Sequence, residues 1–382
     1  MREVLDDLLR WWEADQPVGM GTVVGTWRSA PRPAGAAMLV GPDGTAVGSV
    51  SGGCVEGAVY EVAQEAVRTG QPATQRYGVS DDDAFAVGLT CGGIIDVYVE
   101  KVDRRSFPEL GSVAESIRAG EPVAVVTVVD DLCDGGRLGG RLVVWPERAS
   151  GTLGSERLDA AAADDVRGML ASGRTGTLRY GHDGQRRGDD LTLFVASYAP
   201  PPRMIVFGAI DFAAAVARVG GFLGYRVTVC DARPVFATTR RFPDADEVVV
   251  AWPHRYLATE AEAGRVDERT VVCVLTHDPK FDVPVLEIAL RLPVAYVGAM
   301  GSRRTHDDRI ARLKEAGLAP AEIAKLASPI GLDLGARTPE ETAVSIGAEI
   351  IALRWGGTGG RLAAMDGRIH HDSSARPGGD SR

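Results

Sequence analysis

The stretch Arg203-Met-Ile-Val-Phe-Gly-Ala-Ile-Asp-Phe-Ala213, with Arg226-Val-Thr-Val-Cys-Asp231 after it, decides the fold of the C-terminal half. A short apolar run ends at a glycine, an Ala- and Val-rich segment with helical spacing follows over 212–223, and a second apolar run closes on an aspartate. This reads as strand, tight turn, helix and strand. Downstream, strands are predicted over 247–251, 270–275 and 294–297, with helices after the last two. Such alternation implies an α/β domain built on a mostly parallel, doubly wound sheet. A final helix is punctuated by Thr338 as cap, Pro339 in the first turn, Glu341 closing a capping box and Gly356-Gly357 as stop.

Upstream, Tyr198-Ala-Pro-Pro-Pro202 is a stiff connector across which the pattern changes. The expected division is 1–198 and 203–360, with a disordered tail over 365–382 that contains His370 and His371. The N-terminal part mixes element types, as a small α+β domain does. Val4, Leu5, Leu8, Leu9 and Trp12 share helical spacing, and a strand is predicted over 21–26. A hairpin pairs 36–40 with 45–50 through Gly-Pro-Asp-Gly. Val55, Val59, Val62 and Ala66 mark a helix that stops at Gly70, and strands follow over 92–101, 122–130, 140–145 and 191–198. Between 133 and 188, clusters of Gly, Asp, Arg and Ala interrupt any period.

The chain has 382 residues, 45% hydrophobic and 25% charged, which fits two globular domains. A formal net charge of -10 argues against nucleic acid or an anionic membrane as partner. No apolar run reaches the roughly 18 residues of a membrane span, so a cytoplasmic protein is expected. The five cysteines are odd in number and widely spread, which reads as reduced thiols.

The densest chemical signal is Ser51-Gly-Gly-Cys-Val-Glu-Gly57, between a strand and a helix. Gly52 and Gly53 let backbone approach a ligand, and amides at a helix N-terminus favour an anion. Cys54 is expected in the first helical turn, where the helix dipole raises its thiolate fraction, and a soft thiolate suits a molybdenum or sulfur centre. The competing reading is a small buried hydrophobe in a tight turn. A second motif, Cys91-Gly92-Gly93, leads into a strand, so two glycine-flanked thiols are placed to converge on one pocket. Arg32, held by prolines in Ala30-Pro-Arg-Pro33, suits a phosphate or carboxylate, or else is a plain surface arginine. Asp81-Asp-Asp83 reads as a solvated turn, and Cys133, Cys230 and Cys273 as core or incidental.

In the second domain, Gly208-Ala-Ile-Asp-Phe-Ala213 stands where a dinucleotide fingerprint belongs, but only its first glycine is present. Asp231 stands where an acid would bind a ribose. His277, Ser302 and Arg303 fall at the carboxyl edge of the sheet, where this architecture binds ligands. A satisfied polar turn accounts for His277 equally well.

Taken together, Ala30-Pro-Arg-Pro33, Ser51-Gly-Gly-Cys-Val-Glu56, Cys91-Gly-Gly93, Thr276-His-Asp-Pro-Lys280, Tyr296-Val-Gly-Ala299, Gly301-Ser-Arg-Arg-Thr305 and Pro329-Ile-Gly-Leu-Asp-Leu-Gly-Ala-Arg-Thr-Pro339 resemble the XdhC/CoxI family. These are accessory proteins of xanthine dehydrogenase and carbon monoxide dehydrogenase. The resemblance spans the chain to about Gly360. It implies a Rossmann-like second domain, often a homodimer, and a chaperone of the molybdenum cofactor (molybdopterin) rather than an enzyme. It further implies that the cofactor is protected while a sulfido ligand is installed, with a cysteine desulfurase as partner, and is inserted into an apo xanthine dehydrogenase or carbon monoxide dehydrogenase-type enzyme. By position, Cys54 and Cys91 look like the thiols that meet the metal. Gly52, Gly53, Glu56, Gly92, Gly93 and Arg32 complete the implied cofactor site. The Gly208 loop departs from the fuller glycine pattern of many relatives, which weakens any NAD(P) dependence. Two rival readings are an NAD(P)-dependent oxidoreductase and a cofactor-free scaffold that docks a sulfurtransferase.

Overall fold

The computed structural model describes residues 1–27, 30–78, 93–133, 136–276 and 278–365. The chain forms two compact units that part between Pro200 and Pro201.

The first unit opens with α1 (Leu5–Glu13), which buries Leu5, Leu8, Leu9 and Trp11 on one side. Trp12 is half-buried, its indole N–H donating to the Phe107 carbonyl at 3.1 Å. There follow β1 (Val18–Trp27), β2 (Ala37–Val40), β3 (Ala46–Gly48), α2 (Glu56–Thr69), β4 (Ala73–Tyr77) and β5 (Ile94–Val102). Then come α3 (Leu110–Ala119), β6 (Val123–Asp131), β7 (Arg141–Val144), β8 (Ala149–Thr152), α4 (Glu156–Ala171), β9 (Gly176–Tyr180) and β10 (Leu191–Tyr198). The order helix, three strands, helix, two strands thus occurs twice. Each copy makes a five-stranded antiparallel sheet, β3-β2-β1-β5-β4 and β8-β7-β6-β10-β9, with equivalent strands in equivalent places. Backbone details repeat as well. Gly48 and Gly151 have φ of +84° and +91°, and a Cβ on either would lie 2.4 Å from a carbonyl oxygen, of Ala37 in one copy and Arg141 in the other.

On the outer face of the first sheet, α2 sets Val55, Val59, Ala63 and Ala66 against Val23, Val97 and Val99. The helix can sit this close because β1 offers glycine there: a Cβ at Gly19 would lie 2.7 Å from the Ala63 carbonyl oxygen. In the second copy α4 presents Leu158, Ala162, Val166 and Met169 to Ala124, Val126 and Val128. The inner faces of the two sheets share a third core with α1 and α3. Each fully buried Val or Leu in these cores contributes about 1.5–3 kcal/mol. Glu100 and Arg141 form a buried ion pair inside the shared core.

The second unit runs β11 (Arg203–Phe207), α5 (Asp211–Phe222), β12 (Arg226–Asp231), β13 (Glu247–Val250), α6 (Pro253–Glu262) and β14 (Val271–Val274). It continues through α7 (Pro279–Ala289), β15 (Tyr296–Ala299), α8 (Arg303–Glu315), α9 (Pro320–Ile323), β16 (Leu326–Ala327) and α10 (Pro339–Trp355). Its six strands are all parallel in the order β13-β12-β11-β14-β15-β16, the doubly wound arrangement expected from the alternation. The pleat divides each strand between two cores. Met204 and Val206 face α5 and α10, whereas Ile205 and Phe207 face α6, α7 and α8. Winding reverses between β11 and β14, so ligand-binding chemistry is expected at their carboxyl ends. The predicted capping box holds: the Thr338 hydroxyl accepts the Glu341 N–H at 3.2 Å, and Gly356 ends α10 with φ of +72°. Among the described residues, no helix is long and apolar enough to cross a membrane.

Candidate functional site

Glu56 is the first residue of α2, and its carboxylate reaches back over the loop that precedes it. It accepts the Ser49 hydroxyl at 2.6 Å, the Ser51 N–H at 2.8 Å and the Gly53 N–H at 2.9 Å, with the Val50 and Val55 N–H groups at 3.2 Å. The Ser51 hydroxyl donates to it as well. Gly52 gives its N–H to the Ser49 hydroxyl oxygen at 2.8 Å, and Cys54 gives its own to the Ser51 hydroxyl oxygen at 2.9 Å. Burial works to raise the Glu56 pKa, but the Ser49 and Ser51 donors outweigh it and bring the group down to about 2.

This geometry changes two sequence expectations. The Gly52 and Gly53 amides are already donated, Gly53 to the Glu56 carboxylate, which fills the place an external phosphate would take. Glu56 therefore shapes the loop. Val55 is the N-cap of α2, so Cys54 lies ahead of the helix and not in its first turn.

What the loop offers outward is different. Gly52 and Gly53 are exposed with φ of +79° and +116°, and a Cβ on either would meet nothing within 4 Å among the described residues. The pair is thus required by backbone shape, and no described residue fills the space above it. Cys54 is half-buried and packs, like Ala30, against the core under α2.

The second copy keeps the clamp without the loop. Asp159 accepts the Thr152 hydroxyl at 2.8 Å and the Leu153 N–H at 2.6 Å, as Glu56 does from Ser49 and Val50. Ahead of α4 the chain runs only Gly154-Ser155, with Ser155 capping the helix, and has neither glycine pair nor thiol. The glycine pair and Cys54 are an addition of the first copy to a shared scaffold.

Of the other expected residues in this unit, Arg32 pairs with Glu3, whose side chain is 69% exposed. Gly93 is buried and leads into β5. Cys91 and Gly92, and with them the expected meeting of two thiols, lie outside the described residues, as do Asp81–Asp83, His277 and the tail histidines. Cys230 and Cys273 are buried in strands, and burial pushes both thiols up to about 12.

In the second unit, Gly208 ends β11 with φ of +114°, and a Cβ there would lie 3.0 Å from the Thr276 backbone nitrogen. Its lack of a side chain serves the close approach of two loops at the switch point. Asp231 accepts the Ala209 N–H at 2.7 Å and a forked pair from Arg233 at 2.9 and 2.8 Å. Burial raises its pKa, and these donors more than reverse that, holding it below the usual carboxylate range. An acid so engaged is not poised for a ribose hydroxyl. Ser302 is the N-cap of α8, accepting the Thr305 N–H at 3.1 Å, and Arg303 stands exposed in the first turn.

Sequence reading missed two features of this edge. Arg309 and Asp282, both buried, pair at 3.0 Å, and Arg309 also donates to the Met300 carbonyl at 2.7 Å and the Ser328 hydroxyl at 2.9 Å. The one available signal was that Arg309 shares a helix face with buried Leu313. Trp252, capping α6 and exposed, and Phe281, half-buried in the first turn of α7, lie beside the edge with ring centroids 5.2 Å apart.

Comparison with known proteins accords with both units. The XdhC Rossmann domain model matches residues 204–350, and the XdhC and CoxI family model matches 11–78 and 116–181, one segment in each copy of the repeat. A Bacillus subtilis protein named as a probable subunit of xanthine dehydrogenase is 29% identical over 92% of this chain and 96% of its own length. The Escherichia coli molybdenum cofactor insertion chaperone PaoD is 28% identical over 87% of this chain and 82% of its own. A crystal structure from Bacillus halodurans, described as a xanthine dehydrogenase, aligns with TM-score 0.64 and 28% identity over 91% of this chain and 95% of that one. The chain belongs to the XdhC and CoxI family.

Proposed function

We propose that this protein is an accessory factor that holds the molybdenum cofactor and passes it to a xanthine dehydrogenase-type enzyme, turning over no metabolite itself. The observation that carries the reading is the loop Gly52-Gly53-Cys54: an open backbone surface beside a half-buried thiol, present in one repeat and absent from its twin. The name of the Escherichia coli relative points the same way.

In this reading the soft sulfur of Cys54 meets the metal centre, and Cys91 is its expected companion. Glu56 holds the loop in shape. The pterin phosphate is taken by a cation and not by the Gly52 and Gly53 amides. Arg32 suits it, because its ion pair with Glu3 is solvent-exposed on the acid's side and cheap to exchange. Installation of a sulfido ligand by a cysteine desulfurase during residence, and a cytoplasmic location, belong to the same proposal. An oxidoreductase reading is disfavoured by the engagement of Asp231 with Arg233 and Ala209.

Retention of cofactor on ultrafiltration, read by pterin fluorescence after oxidation, tests the proposal. Cys54→Ala is expected to lower retention at least about tenfold, or about 1.4 kcal/mol, with unchanged thermal melting. Unaltered retention in Cys54→Ala/Cys91→Ala rejects the role of these thiols.

A further inference from the structure

Trp27, the last residue of β1, keeps 42% of its surface exposed. Its ring leans back along the strand over Gly25, where a Cβ would stand 2.7 Å from the indole Cη2, so a side chain at 25 would push the ring away. The Arg76 guanidinium lies 4.8 Å from the ring centroid. It is fixed in turn by Asp96, which accepts from its Nε at 2.7 Å and its Nη2 at 2.8 Å. Its Nη1 forms no hydrogen bond among the described residues, and the side chain is 57% exposed. Register sets Gly25, Asp96 and Arg76 side by side across β1, β5 and β4. An indole and a guanidinium are thus held together in solvent at the end of the sheet.

The second copy has the same strands without this surface. Asp130 faces Thr192 there as Gly25 faces Asp96, so Asp130, Leu132 and Thr192 are the equivalents of Gly25, Trp27 and Asp96. Arg179 stands across from Thr192 as Arg76 does from Asp96, and turns instead to the exposed Asp189 at 3.4 Å. The indole, the glycine beneath it and the acid that holds the arginine are therefore additions of the first copy, as Gly52, Gly53 and Cys54 are. Ala30, three residues after Trp27, packs into the core that Cys54 joins, so both sets of additions belong to the same end of the first sheet. A ring so exposed adds little to the core, and its fixed orientation is left for function to explain.

We propose that Trp27 and Arg76 form a stacking platform for a planar heteroaromatic ring, the pterin of the molybdenum cofactor; the identity of the ring rests on the function proposed above. Indole and guanidinium faces both stack on such rings, and the Nη1 donors of Arg76 suit the carbonyl and ring-nitrogen acceptors along the edge of a pterin. Trp and Arg also serve as anchors in protein interfaces. An anchor needs buried area, whereas stacking needs a plane held at a set angle, and Gly25, Arg76 and Asp96 hold one.

Free pterin, which carries neither metal nor phosphate, separates this platform from the role given to Cys54. Its fluorescence is expected to be quenched saturably by the full chain, with a Kd below about 1 mM. Trp27→Leu, which reproduces the second copy, is expected to weaken binding about tenfold with unchanged far-UV circular dichroism, and Trp27→Phe to keep most of it. Arg76→Gln serves the same test should Trp27→Leu not fold. Quenching that does not saturate with wild type below about 1 mM, or that is as strong with Trp27→Leu as with wild type, overturns the proposal. In the second case, lost capture of an apo xanthine dehydrogenase-type enzyme by the same variant would give the surface to a protein partner instead. Should cofactor retention prove independent of Cys54 while pterin quenching holds, the role of the thiol falls and the platform stands.

Discussion

Glu56 and Asp159 are equivalent carboxylates in the two repeats of the first unit. Each reaches back from its helix to the end of the preceding strand, Glu56 to Ser49 and Val50, Asp159 to Thr152 and Leu153. The shared contact identifies the clamp as scaffold. What the first repeat adds, the glycine pair and Cys54, is then what has to be explained by function.

The clamp has a pH signature. The folded Glu56 pKa of about 2 lies below its ordinary 4.5, so its contribution is complete above the higher value and is lost as pH falls through the lower one. Glu56→Gln is expected to cost about 1–2 kcal/mol at neutral pH, the solvent-exposed side of the loop keeping the figure small. The cost should shrink towards about pH 3. Urea denaturation at the two pH values measures both; a variant as stable as wild type at neutral pH removes the clamp from the account.

Gly52 and Gly53 have room for a methyl group but the wrong backbone for one. Gly52→Ala should cost about 1–2 kcal/mol through its φ alone, and Gly53→Ala at φ of +116° at least as much. Thermal melts of the two variants test this. A stabilising effect, as at glycines with ordinary φ, would show that the loop adopts another shape in solution.

The buried pair at the carboxyl edge should reveal itself through asymmetry. Arg309→Leu strands the buried Asp282 carboxylate and is expected to cost about 3–5 kcal/mol. Adding Asp282→Leu should return part of that loss. Equilibrium unfolding of the single and double variants decides the matter; additive losses would mean that the two side chains act separately.

Engagement of Asp231 leaves no poised acid for a ribose, so titration with NADH should show no saturable fluorescence change below about 1 mM. Asp231→Asn should not improve it, because the amide offers one acceptor oxygen where the carboxylate offers two and cannot serve both the Ala209 N–H and the Arg233 fork. Saturable sub-millimolar binding by the wild type would reopen the oxidoreductase reading.

Local sequence determined what local physics can carry. The capping box of Thr338 and Glu341, the left-handed stops at Gly70 and Gly356, and the strand–turn–helix of 203–222 stand in the structure as the residues predicted, because each depends on neighbours a few positions away. The twofold repeat was hidden, since it lies in strand order and glycine dihedrals while the side chains diverged, Gly19 to Ala124 and Val59 to Ala162. Tertiary structure alone decided the partners of charged groups. Glu56 turned onto its own loop, Asp231 onto Arg233, and Arg309 onto an aspartate 27 residues away. A carboxylate takes the nearest donors that burial leaves it, and which donors are near is a property of the packed chain.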